Sequence, residues 1–239
     1  MKKKRIEHEE REENAFALST GDLMAGLLFI FILLLMGALL QVQEKAEQDE
    51  EIVKRYDKIK TQLYIDLDKE FKDDLKVWNA VIDSTNLSIR FQEPSTLFAY
   101  DQAVLQSKFQ DILKDFFPRY LKLISSDQYK ENIEEIRIEG HTDSKGTYEY
   151  NMQLSQDRTR SVLSYCLLMV EPQKKDWTIA RITANGLSSS HLIYNEDGGE
   201  NPELSRRVEF RIRTNAEKQL EEIADKRFRR KWAKTSLAY

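Results

Sequence analysis

Two groups of residues have the types and the spacing to do chemistry. In "EIRIEGHTDSKGTYEYNMQLSQDRTRSVLSY", Glu135 to Tyr165, a strand-like run ends at Gly140, a loop carries Asp143, and a helical pattern begins near Asn151. On that helix Asn151, Leu154 and Arg158 follow one another at helical spacing and share a face. Asp143 at the strand exit and Arg158 on the helix face could therefore flank one pocket. An anion beside a cation suits a zwitterion, Asp143 taking an ammonium and Arg158 a carboxylate. The same two residues could equally form a structural salt bridge. The second group is one residue, Asp22, within "ALSTGDLMAGLLFIFILLLMGALLQVQ", residues 17–43. It is the only charge between Glu13 and Glu44. If a helix starts at Thr20, Ser19 is the N-cap and Asp22 completes an S-x-x-D box at the positive end of the dipole. If the helix starts near Ala15, Asp22 lies about two turns inside it. An ionisable residue there is costly and marks an ion pathway, since withdrawal from water favours the neutral form of a carboxylic acid.

The elements that would position these groups follow from hydrophobic periodicity. Leu23 to Leu40 is an uncharged run of 18 residues, which as a helix reaches roughly 27 Å, close to the thickness of a bilayer core. It is long for a signal peptide, and the acidic stretch ahead of it (Glu7, Glu9, Glu10, Glu12, Glu13) is a poor signal n-region, although Met36–Ala38 resembles a weak cleavage site. Lys2, Lys3, Lys4, Arg5 and Arg11 favour a cytoplasmic N-terminus; Lys45, Lys54 and Arg55 weaken that bias without reversing it. Apolar residues then recur at Ile52, Tyr56, Ile59, Leu63, Leu67, Phe71, Leu75 and Trp78, the stripe of an amphipathic helix. That stripe either packs on its own domain or forms a seam with a second copy. Beyond it, "LSIRFQ", "IEEIRIEG", "WTIARITANG" and "RRVEFRIRT" read as strands. Between them lie two helices, one interrupted at Pro118 and one beginning near Asn151. The order predicts an α+β unit, a small mixed sheet with helices on one face.

Composition excludes several classes. With 33% charged and 41% apolar residues the chain is not a multi-span membrane protein, and its net charge of −4 with no basic, aromatic-studded stripe argues against nucleic acid as a partner. The single cysteine, Cys166, sits in an apolar helical stretch and is expected in the core. His8, His141 and His191 lack metal-ligand spacing, and Ser155 with Asp157 belongs to no recognisable triad, so neither a metal site nor a catalytic site is expected.

The run "IEGHTDSKGTYEYNMQLSQDRTRSVLSYCL", with "SRRVEF" at Ser205 to Phe210, resembles the signature of the OmpA-like peptidoglycan-binding domain. Ser205 stands where that family usually has Asn, and Thr159 where it usually has Ala. The resemblance spans about residues 85–213 and implies that Asp143 and Arg158 hold the diaminopimelate of the stem peptide, with Thr142, Tyr150, Asn151 and Leu154 shaping the pocket. A single N-terminal span followed by such a domain resembles the MotB stator subunits. That likeness implies Asp22 as the proton carrier, a homodimer, and a MotA-like multi-span partner in about five copies around two of this chain. It also implies no cofactor, the driving force being the proton motive force. The acidic "EHEEREEN" prelude and the charged helix after the span resemble the ZorB branch, from Zorya anti-phage defence, whose partner is ZorA-like. A flagellar-type MotB stator and a passive membrane-to-wall anchor are the alternatives. The implied organisation is a cytoplasmic tail (1–14), a transmembrane helix in the inner membrane (15–43), a periplasmic linker helix (44–84), the wall-binding domain (85–213) and a basic helical tail (214–239). The tail, with its cluster from Lys226 to Lys234, either caps the sheet domain or helps hold anionic wall or lipid.

Overall fold

A computed structural model describes the backbone of residues 2–92, 94–99, 101–221 and 224, and the side chains of 21–92, 96–99, 101–221 and 224. The chain divides into two units, residues 1–51 and 52–239.

The first unit is helical throughout its described length and belongs to α1 (Lys2–Leu75). Because α1 begins at Lys2, no helix starts at Thr20, and Asp22 is an interior helical residue rather than an N-terminal capping one. Every side chain from Gly21 to Gln48 is exposed, including Asp22 and the whole apolar run from Leu23 to Leu40. A helix satisfies its own backbone and so tolerates a solvent without hydrogen bonds; apolar side chains on every face call for such a solvent. This helix is long and apolar enough to cross a membrane.

In the second unit the end of α1 leads into β1 (Ala80–Asp83), β2 (Ser88–Phe91), the short α2 (Pro94–Leu97), α3 (Ser107–Ile124), β3 (Ile133–His141), α4 (Tyr148–Leu167), α5 (Lys175–Ile179), β4 (Ile182–Gly186), α6 (Pro202–Ser205) and β5 (Arg207–Thr214). The five strands form one mixed sheet in the order β1-β2-β5-β3-β4, with β3 and β4 parallel and the other neighbours antiparallel. Alternation along the strands gives the sheet two unlike faces. Ile89, Phe91, Ile136, Ile138, Phe210 and Ile212 are buried beneath the helices. The other face carries Glu135, Arg137, Glu139, Arg207, Glu209 and Arg211, knitted by pairs such as Arg207–Glu209 at 2.6 Å and Arg90–Glu209 at 3.0 Å. Burial would raise the Glu209 carboxyl, but Arg207 and Arg90 outweigh it and hold the group down at about 2.

The linker expected over 44–84 is not a helix throughout and is not separate from the domain. Leu63, Leu67 and Phe71 are fully buried in the same core as the sheet. The Phe71 ring lies 5.3 Å from Phe116 of α3, and Phe116 lies 5.0 Å from Phe210 of β5. Arg119 clamps this end of α1 from α3: it donates to Glu70 Oε1 at 2.9 Å, to the Glu70 carbonyl at 2.7 Å and to Asp74 at 2.9 Å, and stacks over Phe71. From Leu63 onward the stripe is therefore core of its own domain. Phe71→Ala is expected to destabilise the second unit by about 3–5 kcal/mol, the cost of emptying an aromatic site in a packed core; thermal unfolding of the detergent-solubilised chain measures it.

Three further elements differ from the sequence expectation. The helix ends at Leu75 and residues 80–83 form the edge strand β1, a hairpin partner of β2 closed by Asp83, whose carboxylate accepts from the Thr85 and Asn86 amides. In "WTIARITANG" only Ile182–Gly186 is strand; Lys175–Ile179 is helix α5, where Thr178 Oγ1 donates back to the Lys174 carbonyl at 2.8 Å. Pro118 lies inside an unbroken α3, because eight buried side chains from Phe109 to Ile124 on one face offset the lost backbone bond. The tail begins as helix over 215–221, with Ala216 buried and Asn215 donating to the Asn132 and Glu131 carbonyls. Its basic cluster from Lys226 to Lys234 lies outside the described residues.

Candidate functional site

The site is built where β3 ends and α4 begins. Leaving the sheet, Thr142 donates its amide to the Ser188 carbonyl at 2.9 Å and its hydroxyl to the Asp143 carbonyl at 3.1 Å. Asp143 Oδ1 accepts from the Lys145 amide at 3.2 Å, an Asx turn that fixes the carboxylate on the loop. Asn151 pins the same loop from the helix: it is buried, and its amide donates to the Asp143 carbonyl at 3.3 Å and the Lys145 carbonyl at 2.8 Å. Thr147 caps α4 by accepting from the Tyr150 amide at 3.2 Å.

The distance of α4 from the sheet is set by two glycines. A Cβ on Gly140 would lie 2.6 Å from Thr159 Cγ2, and one on Gly186 would lie 2.4 Å from the Gln156 backbone nitrogen. The helix backbone at Gln156 cannot yield as a side-chain tip can, so Gly186→Ala is expected to push α4 off the sheet. That should cost about 1–3 kcal/mol of stability and weaken any ligand held by Arg158, a loss that binding and melting measurements on the same sample would register together.

Arg158 emerges on the α4 face predicted from its spacing. Its Nε donates to the Gln102 carbonyl at 2.9 Å, and its guanidinium lies 5.0 Å from the Phe98 ring centroid. Burial pulls this guanidinium below its ordinary value; Asp101 and Asp143 oppose the shift and Arg206 reinforces it. Thr142, Asp143, Tyr150, Asn151, Leu154 and Arg158 all line one cavity of about 450 Å³. Asp143 is paired, but not with Arg158: its Oδ2 lies 2.6 Å from Arg206 Nη1. The structural salt bridge and the open cationic wall are thus both present, on different arginines. The sequence reading missed Arg206, and also Phe98, Ala99, Asp101 and Lys145, which complete the lining. Arg206 was visible only as the first arginine of "SRRVEF", next to the strand it precedes. Asp101, sequence-distant from the motif, accepts from the Tyr150 hydroxyl.

The remaining chemically suggestive residues have structural surroundings. His141 is buried; its Nε2 lies 3.9 Å from carboxylate oxygens of Glu139 and Glu209, and neither ring nitrogen makes a hydrogen bond among the described residues. Burial, aided by Arg207, pushes its imidazole down to about 3, so it stays neutral at physiological pH. Ser155 Oγ donates to the Met152 carbonyl and accepts from the Ser188 amide, tying α4 to the loop after β4. Cys166 is buried, and burial pushes its thiol up. Among the described residues, no group of three His, Cys, Asp or Glu is arranged to hold a metal.

Comparison with known proteins places this geometry. Residues 97–206 match the OmpA family. The chain is 40% identical over 221 residues to the Zorya protein ZorB of Escherichia coli strain Crooks, covering 89% of this chain and 93% of that protein. It is 27% identical over 213 residues to the Zorya protein ZorB of Escherichia coli O139:H28, covering 89% and 84%. Among solved structures, it is similar to a MotB-like protein from Desulfovibrio vulgaris, with a TM-score of 0.48 and 22% identity over 70% of this chain and 99% of that one. It is also similar to the cell wall anchor of the T6SS from Pseudomonas aeruginosa, with a TM-score of 0.44 and 21% identity over 62% and 97%. Identity at this level over nearly the full length of both chains, together with an OmpA-family domain that contains the cavity, shows that the chain belongs to the Zorya protein ZorB family.

Proposed function

We propose that this chain is the wall-anchored stator subunit of a proton-driven inner-membrane motor that acts in anti-phage defence. The anchoring half rests on one observation: an acidic loop residue and a desolvated arginine face the same cavity, with Asn151, Leu154, Tyr150 and Thr142 around them. Such a cavity suits the free zwitterionic end of diaminopimelate. Arg158 takes the carboxylate through guanidinium nitrogens not used on Gln102, Asp143 receives the ammonium, and Leu154 and Phe98 supply apolar walls for the methylene chain.

The motor half rests on Asp22, the lone charge in the stretch of α1 between Glu13 and Glu44, next to the apolar run Leu23 to Leu40. An ionised carboxylate needs a polar contact, whereas a protonated one can face lipid or apolar helices, so taking up and releasing a proton changes which surface the helix can present. The charge bias of the first residues favours an N-terminus in the cytoplasm, which would put the second unit in the periplasm. The partner is a MotA-like, ZorA-like multi-span subunit, about five copies enclosing two of this chain. The chain itself carries no catalytic role; its cargo is the proton.

The test is to solubilise membranes gently from cells expressing the tagged chain from its native operon, and to identify and weigh what co-purifies. Two copies of the chain with about five of a multi-span partner is the expected result. A bare monomer or dimer across several detergents would overturn the motor assignment in favour of a passive anchor.

A further inference from the structure

The carboxylate that this reading assigns to the ligand's ammonium already has partners within the chain. Asp143 Oδ2 pairs with Arg206 at 2.6 Å, and Oδ1 accepts from the Lys145 amide. The two arginines on the cavity wall are held differently. Arg158 is fixed by the Gln102 carbonyl and the Phe98 ring. Arg206 is held through the ion pair to Asp143 at 2.6 Å, and its side chain is about one-third exposed, so part of it already faces solvent at the cavity wall. The charges lining the cavity do not cancel: Arg158, Arg206 and Lys145 face Asp101 and Asp143, an excess of one cation. A bare zwitterion, with no net charge, leaves that excess unmet. It also leaves Arg206 displaced from Asp143 with nothing to pair with.

We infer that Arg206 is a specificity-determining residue that exchanges its ion pair with Asp143 for one with a second ligand carboxylate, so that the site selects diaminopimelate whose two carboxylates and side-chain ammonium are all free. This rests on the reading of the cavity as a diaminopimelate site. Such a ligand carries one ammonium and two carboxylates, and its net charge of minus one complements the excess cation. One ion pair is exchanged for two: ligand ammonium with Asp143, and second carboxylate with Arg206, while Arg158 holds the first carboxylate. In wall chemistry the arrangement occurs where the stem has been trimmed so that diaminopimelate is its last residue, and where its side-chain amine has not been acylated by a cross-link. The preferred anchor points are then trimmed, uncross-linked stems.

The experiment titrates the full chain, purified in detergent, with a γ-linked tripeptide ending in diaminopimelate and with the same tripeptide amidated at the terminal α-carboxylate, by calorimetry. Wild type is expected to lose about tenfold or more in affinity on amidation, the usual scale for one charge-assisted hydrogen bond. Arg206→Gln is expected to bind both peptides alike, and the amidated one no more weakly than wild type does, because Asp143 is released. Equal wild-type affinity for the two peptides would overturn the inference without need of any variant. So would an Arg206→Gln chain that keeps the preference, or that weakens both peptides equally. Arg158→Ala separates the two levels: if it leaves binding of both peptides unchanged, or if wild type binds neither, the diaminopimelate reading itself fails, and with it the role of Arg206.

Discussion

Asn in place of Asp22 is expected to abolish phage protection completely while leaving the amount of chain in the membrane and its co-purifying partner unchanged. The amide has the size and polarity of a protonated carboxyl but cannot release a proton, so the helix is locked in the neutral state. Movement of one elementary charge is driven by about 2.3 kcal/mol per 100 mV of membrane potential, and a motor that cannot load that charge has no access to the energy. Because α1 runs through this position from Lys2, Asp22 caps no helix end, and losing its charge removes no cap. Asp22→Glu keeps a titratable group about one methylene further out and is expected to retain part of the activity. Full protection by the Asn variant would remove Asp22 from the mechanism.

Arg158→Ala is expected to weaken binding to purified wall fragments by about 10- to 150-fold, the range for a hydrogen-bonded pair with a charged group, and more if the carboxylate is held by two nitrogens. Arg158→Lys should recover little. A lysine ammonium has no fork with which to hold the Gln102 carbonyl and a ligand carboxylate together, and it stacks less well on Phe98. Co-sedimentation with purified sacculi reads both variants. Melting temperatures close to wild type would show that the loss lies in the site, since the Arg158 side chain bonds to one loop carbonyl and not into the sheet. Unchanged sedimentation would mean that the cavity is not the wall contact.

The sequence carried the site further than it carried the fold around it. Spacing alone put Asn151, Leu154 and Arg158 on one helix face, and strand-loop-helix order brought Asp143 to its foot; all four line the same cavity. What spacing could not show is which arginine Asp143 pairs with. Arg206 is 63 residues away in sequence and reaches the loop only because β5 lies antiparallel beside β3, with Arg207 opposite His141. Asp101 and Phe98 were hidden for the same reason, in a loop whose course depends on tertiary packing. Among the elements, strands with strict alternation and a full set of sheet neighbours were legible. The two misread segments were short. "WTI" has strand-like residues but lies ahead of the ladder, and local side-chain bonding turned it into helix. "AVID" followed a strong helical stripe closely enough to be absorbed into it. The turn residues of "DSTN", which announce a hairpin, were the signal available. The stripe itself left own-domain packing and a dimer seam open, because periodicity defines a face and not what covers it. Leu63, Leu67 and Phe71 are covered by the chain's own core.

The central claim is that protons pass through this assembly by way of Asp22. The most direct measurement is proton flux into vesicles containing the purified complex of this chain with its multi-span partner. Flux would be driven by an imposed potential and followed with a pH-sensitive dye, wild type beside Asp22→Asn at matched protein content. Dye quenching in the wild-type vesicles that falls to the level of empty vesicles in the Asn variant is the result predicted. Equal flux in the two preparations, or none in either while the complex is intact and phage protection persists, would contradict it.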